Sequence, residues 1–294
     1  MPDPIGFLNI DKPKGWTSHD VVGKLRRSLH IKKVGHAGTL DPMATGVLVI
    51  CVGAGTRLSE YVMMSTKTYR ATVYLGKTTD TYDAEGTIQT TQDASHITQE
   101  MVEALFPQFT GHIKQLPPMF SAIKQGGKKL YDLARAGKTV ERPKRPITIH
   151  DLTLVEWRSP EFVIDVTCSA GTYIRSLAYD MGEALGVGAH LSGLVRSASG
   201  AFTLESAVSI ETVLEDENWE QYILSPEFGL TDMPIVHLDA DDVIHIQHGR
   251  SPQKVKPSDD IELAQAYTPD EKLLAILKAK DGLWRPHKVF LPSN

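Results

Sequence analysis

Gly35-His36-Ala37-Gly38-Thr39-Leu40-Asp41-Pro42-Met43-Ala44-Thr45-Gly46 runs straight into Val47-Leu48-Val49-Ile50-Cys51-Val52. Three glycines and a proline make the first stretch a loop. The second is an unbroken apolar run of strand length, rich in β-branched residues, and reads as a buried strand. The loop therefore hangs from a core element. Pro42 holds Asp41 in extended geometry and offers no N–H to tie the carboxylate down. A carboxylate in a glycine-lined loop next to a histidine suits chemistry on a ligand that approaches the backbone closely. The competing interpretation is a turn in which Asp41 accepts local backbone hydrogen bonds; the loop alone favours that turn, and the rest of the chain reverses the preference.

Upstream, Phe7–Ile10 forms a short strand and Asp11–Trp16 a turn. Thr17-Ser18-His19-Asp20 has the form of a capping box, followed by Val21, Val22, Leu25 and Leu29 at helical spacing. Downstream, Gly53-Ala54-Gly55-Thr56 starts a helix to about Met64. It lacks the Gly-Lys-Ser/Thr ending of a nucleotide phosphate loop. Lys67–Leu75 alternates, with Tyr69, Ala71, Val73 and Leu75 on one face. Tyr69 begins that strand, where a ring can lean over a site or pack in the core. Asp80–Gly86 is an acidic loop without calcium-loop spacing. Helices are expected over Thr98–Leu105 and Leu130–Ala136, and strands over Ile147–Glu156 and Phe162–Cys168. Gly171-Thr172-Tyr173-Ile174-Arg175 is a strand-to-helix junction with Thr172 as its cap. Arg175 then sits in the first helical turn, where the helix dipole disfavours a cation. A carboxylate or phosphate facing it would explain that placement, as would a surface ion pair. The helix stops at Gly186, and Leu191–Arg196 is another strand. Beyond Met233-Pro234 six short strands are expected, Val243–Ile246 among them, which together suggest a compact β-barrel.

The chain of 294 residues is long for one domain, so two are expected, 1–232 and 233–294. Its two cysteines, Cys51 and Cys168, lie in apolar runs and read as core residues, outside any disulfide or metal site. No run is long enough to span a membrane, and the N-terminus lacks a secretory pattern, so a cytoplasmic location is expected. The net charge of −5 conceals an asymmetry: residues 1–150 carry 20 Lys+Arg against 13 Asp+Glu, residues 151–294 carry 11 against 23. Nine of the cations fall within 112–150, against two acids. Gly126-Gly127 and the prolines Pro143 and Pro146 make that segment a protruding loop that could bind phosphate.

Taken together, these stretches resemble the B-type family of tRNA pseudouridine synthases, which convert uridine-55 in the T arm of tRNA. The resemblance is carried by Asn9–Gly15, Gly35–Gly46, Lys67–Ala71 and Gly171–Leu177, in family order across most of residues 6–203. It implies an α+β fold: a mixed, mainly antiparallel sheet with helices packed on it, plus a small C-terminal barrel similar to the PUA RNA-binding domain. By the same resemblance Asp41 is the catalytic carboxylate, Arg175 pairs with it, and Tyr69 stacks on the extruded uracil. Tyr173 sits beside the base, Leu194 is an apolar wall, and His36 lies where the flipped nucleotide leaves the stem. Lys12 and Pro13 support the central loop. Lys128, Lys129 and Arg142 would grip the RNA backbone. Family members often have Leu-Arg-Arg where this chain has Leu194-Val195-Arg196.

Pseudouridine formation is an isomerisation, so neither cofactor nor metal is expected. It needs an ionised carboxylate, and the target base must be flipped out at a cost of a few kcal/mol. Aromatic stacking returns about 1–3 kcal/mol per base. The expected partner is tRNA, bound by a monomer without guide RNA or membrane. A non-catalytic RNA chaperone would use the basic loop equally but gives no reason for Asp41 with Arg175. A catalytic subunit guided by separate RNAs is a third possibility; the absence of long basic tails argues for a stand-alone enzyme.

Overall fold

A computed structural model describes residues 4–121, 123–138, 140–231 and 233–290. Of residues 124, 125, 128, 129 and 135 only the backbone is described. In chain order the region around the central loop comprises β1 (Gly6–Lys12), α1 (Ser18–Ser28), β2 (Val34–His36), β3 (Thr45–Val52), α2 (Ser59–Met64) and β4 (Lys67–Leu75). A small hairpin, β5 (Lys77–Thr79) and β6 (Ile88–Thr91), precedes α3 (Gln99–Glu103), α4 (Phe106–Phe109) and β7 (Gly111–Gln115). The basic loop carries β8 (Lys124–Gln125), β9 (Lys128–Lys129) and α5 (Leu130–Arg135), and ends in the hairpin β10 (Arg145–Arg158) and β11 (Glu161–Cys168). Then come α6 (Ile174–Ala184), β12 (Ala189–Ser199), β13 (Phe202–Thr203), β14 (Val208–Ser209) and α7 (Ile210–Glu215). The remainder is β15 (Ile235–His237), α8 (Ala240–Gln247), β16 (Leu263–Tyr267), β17 (Leu273–Lys280) and β18 (Leu283–Val289).

The strands from β1 to β14 form a sheet of ten, in the order β14-β1-β3-β12-β4-β11-β10-β7, with β13 and β2 attached to β12 and β3; the hairpins β5-β6 and β8-β9 stand apart from it. Among the described strands of this sheet, only the β1–β14 and β3–β12 pairings are parallel. β3 shows why its sequence is apolar throughout. Leu48, Ile50 and Val52 face the core beneath α1 and α6, whereas Val47, Val49 and Cys51 face a second core on the opposite side. A strand buried on both faces loses the polar alternation of a half-exposed one. Cys51 and Cys168 are free, and burial pushes their thiols up to about 12 and about 11.

The second core also receives Ile276 and Phe290 from the C-terminal unit. Arg57 Nη1 donates to the Val289 carbonyl at 2.6 Å, and Lys288 pairs with Glu60. The C-terminal strands form a separate four-stranded sheet, β15-β16-β17-β18, open at both ends, with β15 parallel to β16 and the rest antiparallel. Val243–Ile246, expected as a strand, belongs instead to α8. The Asp239 side chain caps that helix by accepting from the Asp242 N–H at 2.9 Å, and Ile246 turns into the small core with Leu238 and Trp284. Lys254 and Val255 lie outside the strands.

Candidate active site

The central loop joins β2 to β3 and is pinned along its whole length. Ala37 N–H donates to Val49 O at 2.9 Å, and Gly15 N–H to Pro42 O at 2.8 Å. Ser18 Oγ both accepts from Leu40 N–H (2.9 Å) and donates to Leu40 O (3.2 Å). The Lys12 ammonium is completely buried, reaching Pro13 O (2.9 Å), Trp16 O (2.7 Å) and Pro42 O (3.4 Å). Arg196, also buried, donates to Val47 O at 2.7 Å and Gly38 O at 3.1 Å, which ties both arms of the loop to β12. Gly46 lets β12 approach: at φ +95° a Cβ there would stand 2.3 Å from the Arg196 carbonyl oxygen.

This scaffold holds Asp41 with about a third of its side chain (35%) open. Arg175 comes from α6 and is almost wholly buried. Its Nε lies 3.0 Å from Asp41 Oδ2 and its Nη2 3.2 Å from Asp41 Oδ1. Nη1 meets Asp83 Oδ2 at 3.3 Å and Thr81 O at 3.1 Å, and Nη2 donates to Phe120 O at 2.8 Å. Of these five contacts, those to Asp41 Oδ1, Thr81 O and Phe120 O are hydrogen bonds, and those to Asp41 Oδ2 and Asp83 Oδ2 are ion-pair approaches. Burial pushes the Asp41 carboxyl up, and Asp83 adds to the rise, whereas Arg175 and Lys12 oppose it. Burial also lowers Lys12, to about 8, against the attraction of Asp41.

Tyr69 on β4 lies opposite Arg196 of β12, and Tyr173 is the N-cap of α6. Burial raises both phenols, and Asp41 is close enough to add to the rise. Leu194 is buried on β12 opposite Ala71. Asp41, Arg175, Tyr69, Tyr173 and Lys12 thus converge. His36 sits apart at the end of β2, edge-on to the exposed His19 with ring centroids 5.3 Å apart. Burial lowers it to about 4, and its Nδ1 is buried without a partner. Pro13 contributes the carbonyl that receives Lys12. Arg142 is turned onto the basic loop's own backbone, donating to Pro117 O at 2.8 Å. The side chains of Lys128 and Lys129 lie outside the described residues. Among those residues no group of three His, Cys, Asp or Glu side chains could hold a metal ion.

Several participants are absent from the sequence reading. Asp83, in the acidic loop set aside as a calcium candidate, is 3% exposed and carries the second carboxylate on Arg175. Thr81 Oγ1 donates to its Oδ1 at 2.6 Å and Glu85 N–H at 3.1 Å, a local turn legible only as a Thr two residues ahead of an Asp. Thr172 does not cap α6, since its hydroxyl turns back to Ser169 O at 2.9 Å. Gln115, distant in sequence, serves the cap instead: it accepts from Tyr173 N–H and donates to Tyr173 O. Lys67 binds the carbonyls of Val62, Met63 and Ser65 at the end of α2.

Residues 26–174 match the family model described as TruB family pseudouridylate synthase (N terminal domain), and residues 175–230 match the tRNA pseudouridylate synthase B C-terminal domain. Over 294 residues the chain is 43% identical to tRNA pseudouridine synthase B of Acaryochloris marina, covering 99% of this chain and all of that one. Over 250 residues it is 48% identical to the protein of the same name from Symbiobacterium thermophilum, covering 84% and 83% of the two chains. Among solved structures, a Cbf5-Nop10-Gar1 complex contains a chain that superposes with a TM-score of 0.76 at 27% identity, covering 98% of this chain and 85% of that one.

Proposed function

The chain belongs to the TruB family of pseudouridylate synthases, and on that premise we propose that it isomerises uridine-55 in the T arm of tRNA, with Asp41 as the carboxylate that acts on the flipped nucleotide. The reaction breaks the N1–C1′ bond, turns the uracil, and forms a C5–C1′ bond. C5 loses its proton and N1 gains one, so no atom enters or leaves overall. The observation that carries this reading is the buried Arg175, aimed at Asp41 from inside the protein. A carboxylate meeting a base that displaces water is driven toward its neutral form. A bidentate guanidinium opposes that shift and fixes the carboxylate's orientation. Tyr69 offers a rigid face for the uracil, Tyr173 flanks it, and Leu194 closes the apolar side. His36 is neutral at physiological pH by virtue of its value of about 4, so it can fill the gap left by an extruded base without charge.

Residues 1–232 act as the catalytic unit. Residues 233–294, a PUA-like RNA-binding unit, extend the contact along the RNA. The protein works as a monomer in the cytoplasm on tRNA alone. A groove of about 390 Å³ on α1, lined by Trp16, His19, Lys24 and Arg27 with one acid, Asp20, adds aromatic and net cationic surface for RNA. The test is incubation of the purified protein with unmodified tRNA, without any guide RNA, alongside tRNA lacking uridine-55. Pseudouridine in the first and none in the second is the expected result. Binding of both without product would support the chaperone reading instead.

A further inference from the structure

Gln115 ends β7, where the basic loop begins, and is only 3% exposed. Its side-chain amide meets both backbone groups of one residue 58 positions away: Tyr173 N–H donates to Oε1 at 2.8 Å, and Nε2 donates to Tyr173 O at 2.9 Å. Tyr173 is the N-cap of α6 and makes no side-chain cap of its own. The same two stretches are joined twice more. Ser176 Oγ donates to Leu116 O at 2.9 Å, and Arg175 Nη2 to Phe120 O at 2.8 Å. The root of the basic loop and the first turn of α6 are therefore laced together, with Arg175 in the middle.

We propose that Gln115 is a positioning residue that fixes the first turn of α6 against the root of the basic loop and so sets the aim of Arg175 at Asp41. The proposal rests on the reading of Arg175 and Asp41 as the catalytic pair. Arg175 approaches both Asp41 oxygens, at 3.0 and 3.2 Å, so a small rotation of the first turn moves the guanidinium off the carboxylate before it breaks the fold. An apolar side chain of equal length could fill the space of Gln115. It would leave Tyr173 N–H without its acceptor, and the cap would then be free to shift.

The test compares Gln115→Met, which keeps length and packing but not the amide, with Gln115→Ala, in the full chain and on unmodified tRNA. Both are expected to slow single-turnover pseudouridine formation about 10- to 100-fold, with the tRNA Kd unchanged. The acid limb of the rate–pH profile should also move to higher pH. Asp41 faces Arg175, Asp83, Lys12, Glu85, Tyr69 and Tyr173, and a mis-aimed Arg175 weakens the main influence holding it ionised. A purely structural role would lower Tm and leave that limb in place. A wild-type single-turnover rate in Gln115→Met overturns the proposal. So does a slowed rate explained entirely by lost tRNA binding. Absence of product from the wild-type protein rejects the reaction itself, a result distinct from either.

Discussion

Arg175 lies in the first turn of α6, against the preference of the helix dipole, and two carboxylates compensate. Asp41 carries the exposed share of the pair and Asp83 the buried share, with side chains 35% and 5% accessible. The asymmetry suits the two acids to different work under the proposed function: Asp83 holds the guanidinium from the buried side, and the more open Asp41 is the one a substrate can reach. Asp41→Asn should therefore retain tRNA binding and lose at least about 1,000-fold in single-turnover rate, measured by pseudouridine release. Lys12 provides a second residue-level test, of stability. Its folded value of about 8 lies below the ordinary 10.5. Between those two values the unfolded chain holds a proton that the folded chain lacks, so stability rises with pH through that window. Below about 8 both states are charged and the gain is absent. Urea titrations at several pH values should show this rise in the wild type and a flatter profile in Lys12→Met. Among these residues, Asp41 stood out as a candidate because the long contiguous stretch Gly35–Gly46 carries the family resemblance. Asp83 did not, because its importance comes from Arg175, 92 positions later in the chain.

Elements whose signals are local were legible nearly to the residue. The capping box of α1 is present: Asp20 N–H donates to Thr17 Oγ1 at 3.0 Å and Thr17 N–H to Asp20 Oδ2 at 2.9 Å. Strand β4 alternates as its sequence does, with Ala71, Val73 and Leu75 buried. The failures involve distant partners. Thr172 has the chemistry of a cap, yet Gln115 supplies the cap contacts from another strand. Val243–Ile246 has strand-like residues, yet the Asp239 cap and packing of Ile246 beneath β17 and β18 make it helical. Two substitutions separate local from tertiary roles. Thr17→Ala should cost about 1 kcal/mol of stability through the lost cap with activity intact, since it touches only α1. Gly46→Ala should cost more, about 1–3 kcal/mol from its positive φ alone, because its Cβ also meets the Arg196 backbone. It should lower single-turnover activity as well by moving the loop that bears Asp41. Chemical denaturation and single-turnover assays distinguish the two patterns.

At the scale of the molecule, charge is arranged across the sheet. The basic loop springs from β7 and β10 at one edge, and an acidic belt follows β14 at the other. Residues 204–232 hold eight acids and no lysine or arginine. The negative half of the sequence is therefore concentrated in that belt; residues 233–294 are close to neutral, with eight basic and nine acidic side chains. Such a polarity orients an RNA backbone toward the basic loop and away from the belt. Replacing Lys128 and Lys129 with Gln should reduce the slope of log binding constant against log salt by about two, leaving the single-turnover rate at saturating protein unchanged. Arg142, already committed to Pro117 O, is a weaker contributor to that slope than its sequence position suggests.

The sequence by itself determined the family and the reaction, and it pointed to Asp41 as the carboxylate to test, because those depend on contiguous stretches: the glycine loop, the strand behind it and the strand-to-helix junction. It also determined the division of charge, which is a matter of counting. Tertiary structure alone decided how the carboxylate is held. Arg196 anchors the loop from β12, Asp83 completes the guanidinium's set of acceptors, and Gln115 ties the basic loop to α6. Each of these contacts joins residues far apart in the chain. A side chain's hydrogen-bond partners are set by which backbones the sheet brings within about 3 Å, and no local pattern encodes that distance.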